Sequence, residues 1–180
     1  KLHLLDTHAD TLPKAFRDAR FAFRGTALKG TTEEKPRWQQ GIDQVNGALG
    51  EALGRVYVAE HFPPEAKQRM VSLVKNLLGS FGDSLDGLAW MSPETKASAK
   101  KKLSTYLIKI GYPEKWRDYG RLQVVAGDAV GNGLRAARFE WARQATRAGK
   151  PVDKTEWGMT PQTVNAYYNP ELNEIVFPAA

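Results

Sequence analysis

Two short segments of β-forming residues close the chain and limit how its C-terminal part can fold. Residues 164–168 and 174–177 are rich in β-branched and aromatic side chains, and Asn169-Pro170 lies between them as a turn signal. The pattern predicts two strands joined by a turn. Two strands this short are stable only when they pack against other parts of a folded domain. An exposed edge of such a pair can bind another extended chain through its backbone.

Apolar residues spaced three or four apart predict helices along most of the preceding chain. The predicted helices cover the tail of one helix in residues 1–20, and then residues 36–53, 63–88, 93–109 and 129–148. Ser92 and Asp128 are the predicted N-caps of the last two helices, and Gly54 is the predicted end of the second. Residues 21–35 are predicted to form a loop and residues 121–125 a short strand.

The character of the chain changes near Gly111, with helical patterns before this residue and mixed helical and strand patterns after it. We therefore expect a mainly α fold with a small β component. We also expect a domain boundary near Gly111, which separates a helical portion, residues 1–110, from a mixed α/β portion, residues 111–180.

Composition and charge exclude several classes of function. The chain has no cysteine, which excludes disulfides and thiolate metal sites within it and leaves its compartment open. The net charge is +6, and the basic residues are interspersed with acidic ones. The one dense basic run, residues 100–102, lies in no recognisable nucleic-acid-binding module. No apolar run approaches the roughly 20 residues that cross a bilayer, and residues 1–30 lack a signal-peptide pattern. We expect no nucleic-acid partner and no membrane span.

The chain carries no complete catalytic motif. A helical zinc pair needs histidines four residues apart with a glutamate beside the first, but His3 and His8 are five apart and His61 stands alone. No G-x-S-x-G elbow and no phosphate-binding glycine loop occur in a suitable context. We therefore expect the three histidines to lie at the surface or to form hydrogen bonds, and we predict no metal ligand in this chain.

Asn165 and Ala166 are the candidate binding element. A carboxamide on an exposed strand edge offers both a donor and an acceptor to the backbone of a bound peptide, whatever the peptide's side chains. The alternative is that Asn165 is a structural residue of the strand that forms a turn, as asparagine often does. The residues by themselves leave both interpretations open.

Six ordered segments together resemble the neprilysin and endothelin-converting-enzyme family of zinc metallopeptidases. They are residues 50–58, 61–67, 90–95, 109–113, 164–170 and 173–179, to which the pair 156–157 is added, and the segments from residue 156 onward are the most specific. The resemblance runs from about residue 21 to the end, which is far more than one short motif. The family's H-E-x-x-H zinc motif is not among these residues. Together with the absence of cysteine, the resemblance favours a bacterial member, periplasmic or secreted.

The resemblance implies roles for particular residues. Asn165 and Ala166 match the family's Asn-Ala pair, which hydrogen-bonds the substrate backbone, and Tyr167 matches the aromatic residue that follows it and lines the same cleft. Residues 1–110 match the helical portion of the cap domain. Residues 111–180 match the N-terminal part of the thermolysin-like catalytic domain.

The resemblance also implies what lies outside these residues. The family's zinc ligands have no counterpart here, so zinc is expected in the full-length parent and not in this fragment, which alone is expected to be inactive. The expected partners are peptide substrates and the remainder of the catalytic domain. The alternative function is a non-catalytic helical protein-interaction module that keeps the scaffold without the chemistry.

Overall fold

Helices make up most of the chain, and a small sheet lies near its C-terminal end. The computed structural model describes residues 2–180, so Lys1, at the start of the predicted helix tail, lies outside the described residues. The α-helices of residues 2–180 are α1 (Leu2–Thr7), α2 (Lys14–Arg20), α3 (Arg37–His61), α4 (Pro64–Asp86), α5 (Pro93–Ser104) and α6 (Ala129–Ala145). The strands are β1 (Leu107–Gly111), β2 (Tyr167–Asn169) and β3 (Glu174–Pro178). The predicted mainly α fold with a small β component is confirmed.

The chain divides into two compact units, each built from two stretches of sequence. The first unit comprises Lys1–Gly50 and Asp118–Val152, and the second comprises Glu51–Arg117 and Asp153–Ala180. This division describes compactness and not membership of a parent protein's domains, so the boundary near Gly111 stays a prediction. Within residues 2–180, no helix combines the length and apolar character needed to cross a membrane.

The N-terminal helix of the first unit is broken, and the predicted loop that follows it is partly helical. Pro13 separates α2 from α1 and from a short 3-10 helix, Ala9–Thr11. The loop predicted over residues 21–35 is wrong for Phe21–Ala27, which continue α2 as a π-helix. Ion pairs hold this extension, because Arg24 donates to both carboxylate oxygens of Asp6. Local sequence signals carry no information about such a distant partner.

The strand predicted over residues 121–125 is also wrong, because side chains satisfy the backbone that a neighbouring strand would have paired. The Val125 amide donates to Asn132 Oδ1, and the Val125 carbonyl accepts from Asn132 Nδ2, both at 2.8 Å. Arg135 Nε donates to the Gln123 carbonyl at 3.0 Å. The predicted N-cap of α6 is confirmed, since Asp128 Oδ1 accepts from the Gly131 amide at 2.9 Å.

In the second unit, Gly54 does not end a helix but allows a close contact. Helix α3 kinks at Leu49, where φ is −131° and ψ is 31°, and then continues past Gly54 to His61. A Cβ at Gly54 would lie 2.7 Å from Pro161 Cδ and from Gln162 Oε1. The predicted helix end at Gly54 is therefore wrong, because the glycine makes room for a segment more than a hundred residues later in the sequence.

Helix α5 is shorter than predicted because a distant strand captures the residues after it. Ser92 caps it as predicted, with its Oγ accepting from the Thr95 amide at 3.2 Å. The predicted continuation to residue 109 is wrong: the helix ends at Ser104, and β1 follows and pairs in parallel with β3. Asn173 helps to set this register, since its carbonyl accepts from the Leu107 amide at 3.0 Å.

The core of the second unit is built around helix α4 and both faces of the sheet. Val74 and Leu85 of α4 and Ile110 of β1 are buried apolar side chains, and Val176 of β3 is buried on the opposite face of the sheet from Ile110. Helix α4 follows the prediction closely and has Pro64 in its first turn, where the missing amide hydrogen is not needed. The two closing strands are confirmed as an antiparallel pair, with β2 shorter than predicted.

We predict that Gly54→Ala destabilises the chain and that Gly41→Ala, in the same helix, does not. The added methyl at residue 54 overlaps Pro161, and such overpacking costs on the order of 1–3 kcal/mol. Nothing lies within 4 Å of a Cβ at Gly41, so alanine there should stabilise the helix by up to about 1 kcal/mol. Urea unfolding monitored by circular dichroism gives both values. Equal effects at the two positions would contradict the close contact.

Candidate functional site

The candidate site is the β2 side of the sheet. Strand β3 lies in the middle, with β1 parallel to it on one side and β2 antiparallel to it on the other. In the sheet formed by residues 2–180, β2 is therefore an outer strand. One backbone edge of β2 faces no other strand of this sheet, which is the arrangement that lets an extended peptide add to a sheet.

Asn165 and Ala166 lie at the surface immediately before this outer strand. The predicted strand starts too early, because residues 164–166 are outside β2 and Val164 is 86% exposed. The Asn165 amide donates to the Thr163 carbonyl at 2.9 Å, and Asn165 Oδ1 accepts from the Ala166 amide at 2.8 Å. The carboxamide Nδ2 makes no hydrogen bond to the described residues, and it remains available as a donor.

Tyr167, the first residue of β2, has its hydroxyl turned toward the protein. Its Oη accepts from the Gly158 amide at 2.8 Å. Partial burial raises the pKa of Tyr167 above the usual value for tyrosine, the Gly158 hydrogen bond opposes that rise, and the Glu174 carboxylate adds to it. Tyr167 therefore stays protonated at neutral pH, and its hydroxyl serves as a structural hydrogen-bonding group.

A buried ion pair lies on the same face of the sheet as the Tyr167 side chain, and sequence reasoning did not find it. Lys109 Nζ and Glu174 Oε2 are 2.6 Å apart, with side chains that are 11% and 2% exposed. Lys109 Nζ also donates to the Glu156 carbonyl at 2.7 Å. The sequence signal for this pair was one charged residue in each of two otherwise apolar strands, Lys109 in β1 and Glu174 in β3. Charged residues are unusual in strands that are packed on both faces.

The histidines do not assemble into a metal centre. His3 and His8 belong to the first unit, and His61 belongs to the second, where it is exposed at the end of α3 beside the Tyr57 ring. Across residues 2–180, no group of three histidine, aspartate or glutamate side chains is arranged to hold a metal ion. The structure brings Asn165, Ala166 and Tyr167 together at the sheet edge, and it gives them no metal-binding neighbour among the described residues.

A family model matches the larger part of the chain. The model, described as peptidase family M13, covers residues 1–113. Two animal proteins match nearly the whole chain. An endothelin-converting enzyme homolog from Locusta migratoria is 35% identical over 175 residues, which is 93% of this chain and 24% of the insect protein. Human neprilysin is 33% identical over 177 residues, which is 94% of this chain and 24% of the human protein.

A solved structure shares the fold. The crystal structure of the Mycobacterium tuberculosis zinc metalloprotease ZMP1, in complex with an inhibitor, superposes with a TM-score of 0.89 at 42% identity. The match covers 97% of this chain and 26% of that chain. The present chain thus spans about a quarter of the length of the proteins that it matches.

We predict that Tyr167→Phe destabilises the chain at neutral pH and that the effect shrinks in alkali. The variant leaves the Gly158 amide without its acceptor, which costs on the order of 1 kcal/mol. Because the native pKa of Tyr167 is raised, its protonated form is favoured by folding, so this contribution is full below about pH 10 and is lost as the pH rises through the native pKa.

Urea unfolding of the wild type and of Tyr167→Phe, at about pH 8 and above about pH 10, measures the difference in their free energies of unfolding. A difference that stays constant or grows with pH would contradict the raised pKa.

Proposed function

This chain belongs to peptidase family M13, and on that premise we propose that it forms one wall of the substrate cleft in a zinc endopeptidase that hydrolyses short peptides. The observation that carries the proposal is the exposed Asn165-Ala166 pair immediately before the outer strand of the sheet. The sequence around this pair is among the most specific segments in the resemblance to the neprilysin group. The similarity to ZMP1, which includes residues on both sides of the pair, supports the same role.

The site binds a peptide in an extended conformation through its backbone. A strand edge recognises amides and carbonyls that every peptide has, so the contact depends little on the substrate's side chains. Asn165 Nδ2 donates to a substrate carbonyl, and the small side chain of Ala166 lets a second backbone approach closely. The Tyr167 ring lies beside them, while its hydroxyl is engaged by Gly158.

Zinc belongs to the proposed activity but not to the residues described. Bound zinc supplies a polarised carbonyl and an activated water in hydrolysis of this kind. The three histidines are spread over two compact units, the chain has no cysteine, and residues 2–180 offer no three-ligand cluster. The donor set of this chain does not fit a zinc site, and we assign no catalytic step to it. We propose that the metal is held elsewhere in a longer parent and that this chain alone is inactive.

We propose that residues 1–110 belong to the helical cap domain of the parent and that residues 111–180 begin its thermolysin-like catalytic domain. The end of the family match at residue 113 supports this boundary. A bacterial source is part of the proposal. The 42% identity to the mycobacterial protein supports it.

The test uses the complete natural polypeptide that carries these residues. We predict that it hydrolyses short peptides, that a chelator abolishes the activity, and that zinc restores it. Asn165→Ala should lower kcat/KM by about threefold to tenfold, mainly through KM, because one neutral hydrogen bond to the substrate is lost.

Asn76→Ala is the matched control, because Asn76 is exposed on α4 and takes no part in the proposed cleft. Equal kinetics for the two variants would contradict the role of Asn165. A complete polypeptide without peptidase activity would contradict the enzyme assignment and favour the non-catalytic interaction module.

A further inference from the structure

We propose that the buried Lys109–Glu174 ion pair is a positioning pair that sets the place of residues 164–166, here called the edge segment, for peptide binding. The inference rests on the proposed function of that segment. The two side chains are only 11% and 2% exposed, so the pair acts on the edge segment through the residues between them.

The two charges lie on one face of the sheet together with Tyr167. Lys109 and Tyr167 are both in register with Val176, from opposite sides, so the three side chains form one row across the sheet. Glu174 is two residues before Val176 and therefore points to the same face, where both side chains are buried. The row joins the ion pair to the first residue of β2.

This face is covered by residues 156–161, here called the anchor segment. Lys109 Nζ binds the Glu156 carbonyl at 2.7 Å, and Tyr167 Oη binds the Gly158 amide at 2.8 Å. At the far end, the fully buried Pro161 accepts at its carbonyl from the amides of Ala179 and Ala180, at 2.9 and 3.0 Å. The edge segment begins three residues after Pro161 and ends at the residue before Tyr167, so it is held on both sides.

The energetics of burial favour a positioning role over a stabilising one. Removing two charges from water is costly, and apolar side chains of similar volume often stabilise a fold equally well. An apolar pair cannot provide directed bonds, however. Lys109 Nζ pairs with the Glu174 carboxylate and also donates to the Glu156 carbonyl, and this hydrogen bond determines where the anchor segment lies.

The test replaces both charges with side chains of similar length, Lys109→Met together with Glu174→Met, in the complete polypeptide. We expect the double variant to fold with nearly wild-type stability, because neither charge is left buried without its partner. We expect KM for peptides to rise about tenfold with little change in kcat. Amide hydrogen exchange across residues 156–166 should accelerate about tenfold, while exchange in α4 stays at the wild-type rate.

Lys67→Met together with Glu114→Met is the matched control. This ion pair belongs to the same unit, with Lys67 Nζ 2.8 Å from Glu114 Oε1. Like Lys109, Lys67 also donates to a backbone carbonyl, that of Tyr112, which lies outside the anchor segment. Its removal should leave both KM and the exchange rates of residues 156–166 unchanged.

A second variant, Tyr167→Phe, tests the proposal even if the double methionine variant does not fold. Tyr167→Phe removes the other bond to the anchor segment and keeps both charges, and it should accelerate exchange in the same residues. Wild-type exchange in the folded variants would overturn the proposal, as would a raised KM without faster exchange. Absence of peptidase activity in the wild type would instead refute the proposed function, and the exchange measurements would still decide whether the pair positions the segment.

Discussion

Strand β3 holds the second compact unit together because it pairs with β1 on one side and with β2 on the other. Its partners come from the two separate stretches of sequence that make up that unit, and Val176 at its centre is completely buried. Without this pairing, residues 107–111 would have no reason to leave the helix that precedes them. The anchor segment would have no face to cover, and the edge segment would not lie beside a sheet. The candidate site is thus a consequence of long-range strand pairing.

The chemistry available at the site follows from what the strand edge offers. A backbone edge and one carboxamide donor can hold an extended peptide and orient it, but they cannot activate water or polarise a carbonyl. The chain also spans only about a quarter of the length of the related proteins that it matches. The proposed function therefore assigns peptide binding to these residues and catalysis to other parts of a longer parent.

The helix end predicted at Gly54 and the strand predicted over residues 121–125 are both wrong, and for the same physical reason. Gly54 has the local features of a helix end, yet it lies inside α3 because Pro161 occupies the space of a side chain. In the first unit, the side chain of Asn132 replaces a strand partner for Val125. In each case the deciding contact comes from outside the local sequence window.

The sequence by itself determined the helical pattern, the caps at Ser92 and Asp128, the closing strand pair and the family, because these depend on local spacing and on side-chain chemistry. It also singled out Asn165 through the residues around it. Only the tertiary structure decided that β1 is a strand, that β2 is the outer one, and that Lys109 meets Glu174. Those outcomes require residues distant in sequence to share one sheet, and the free energy of that pairing is not encoded in either segment alone.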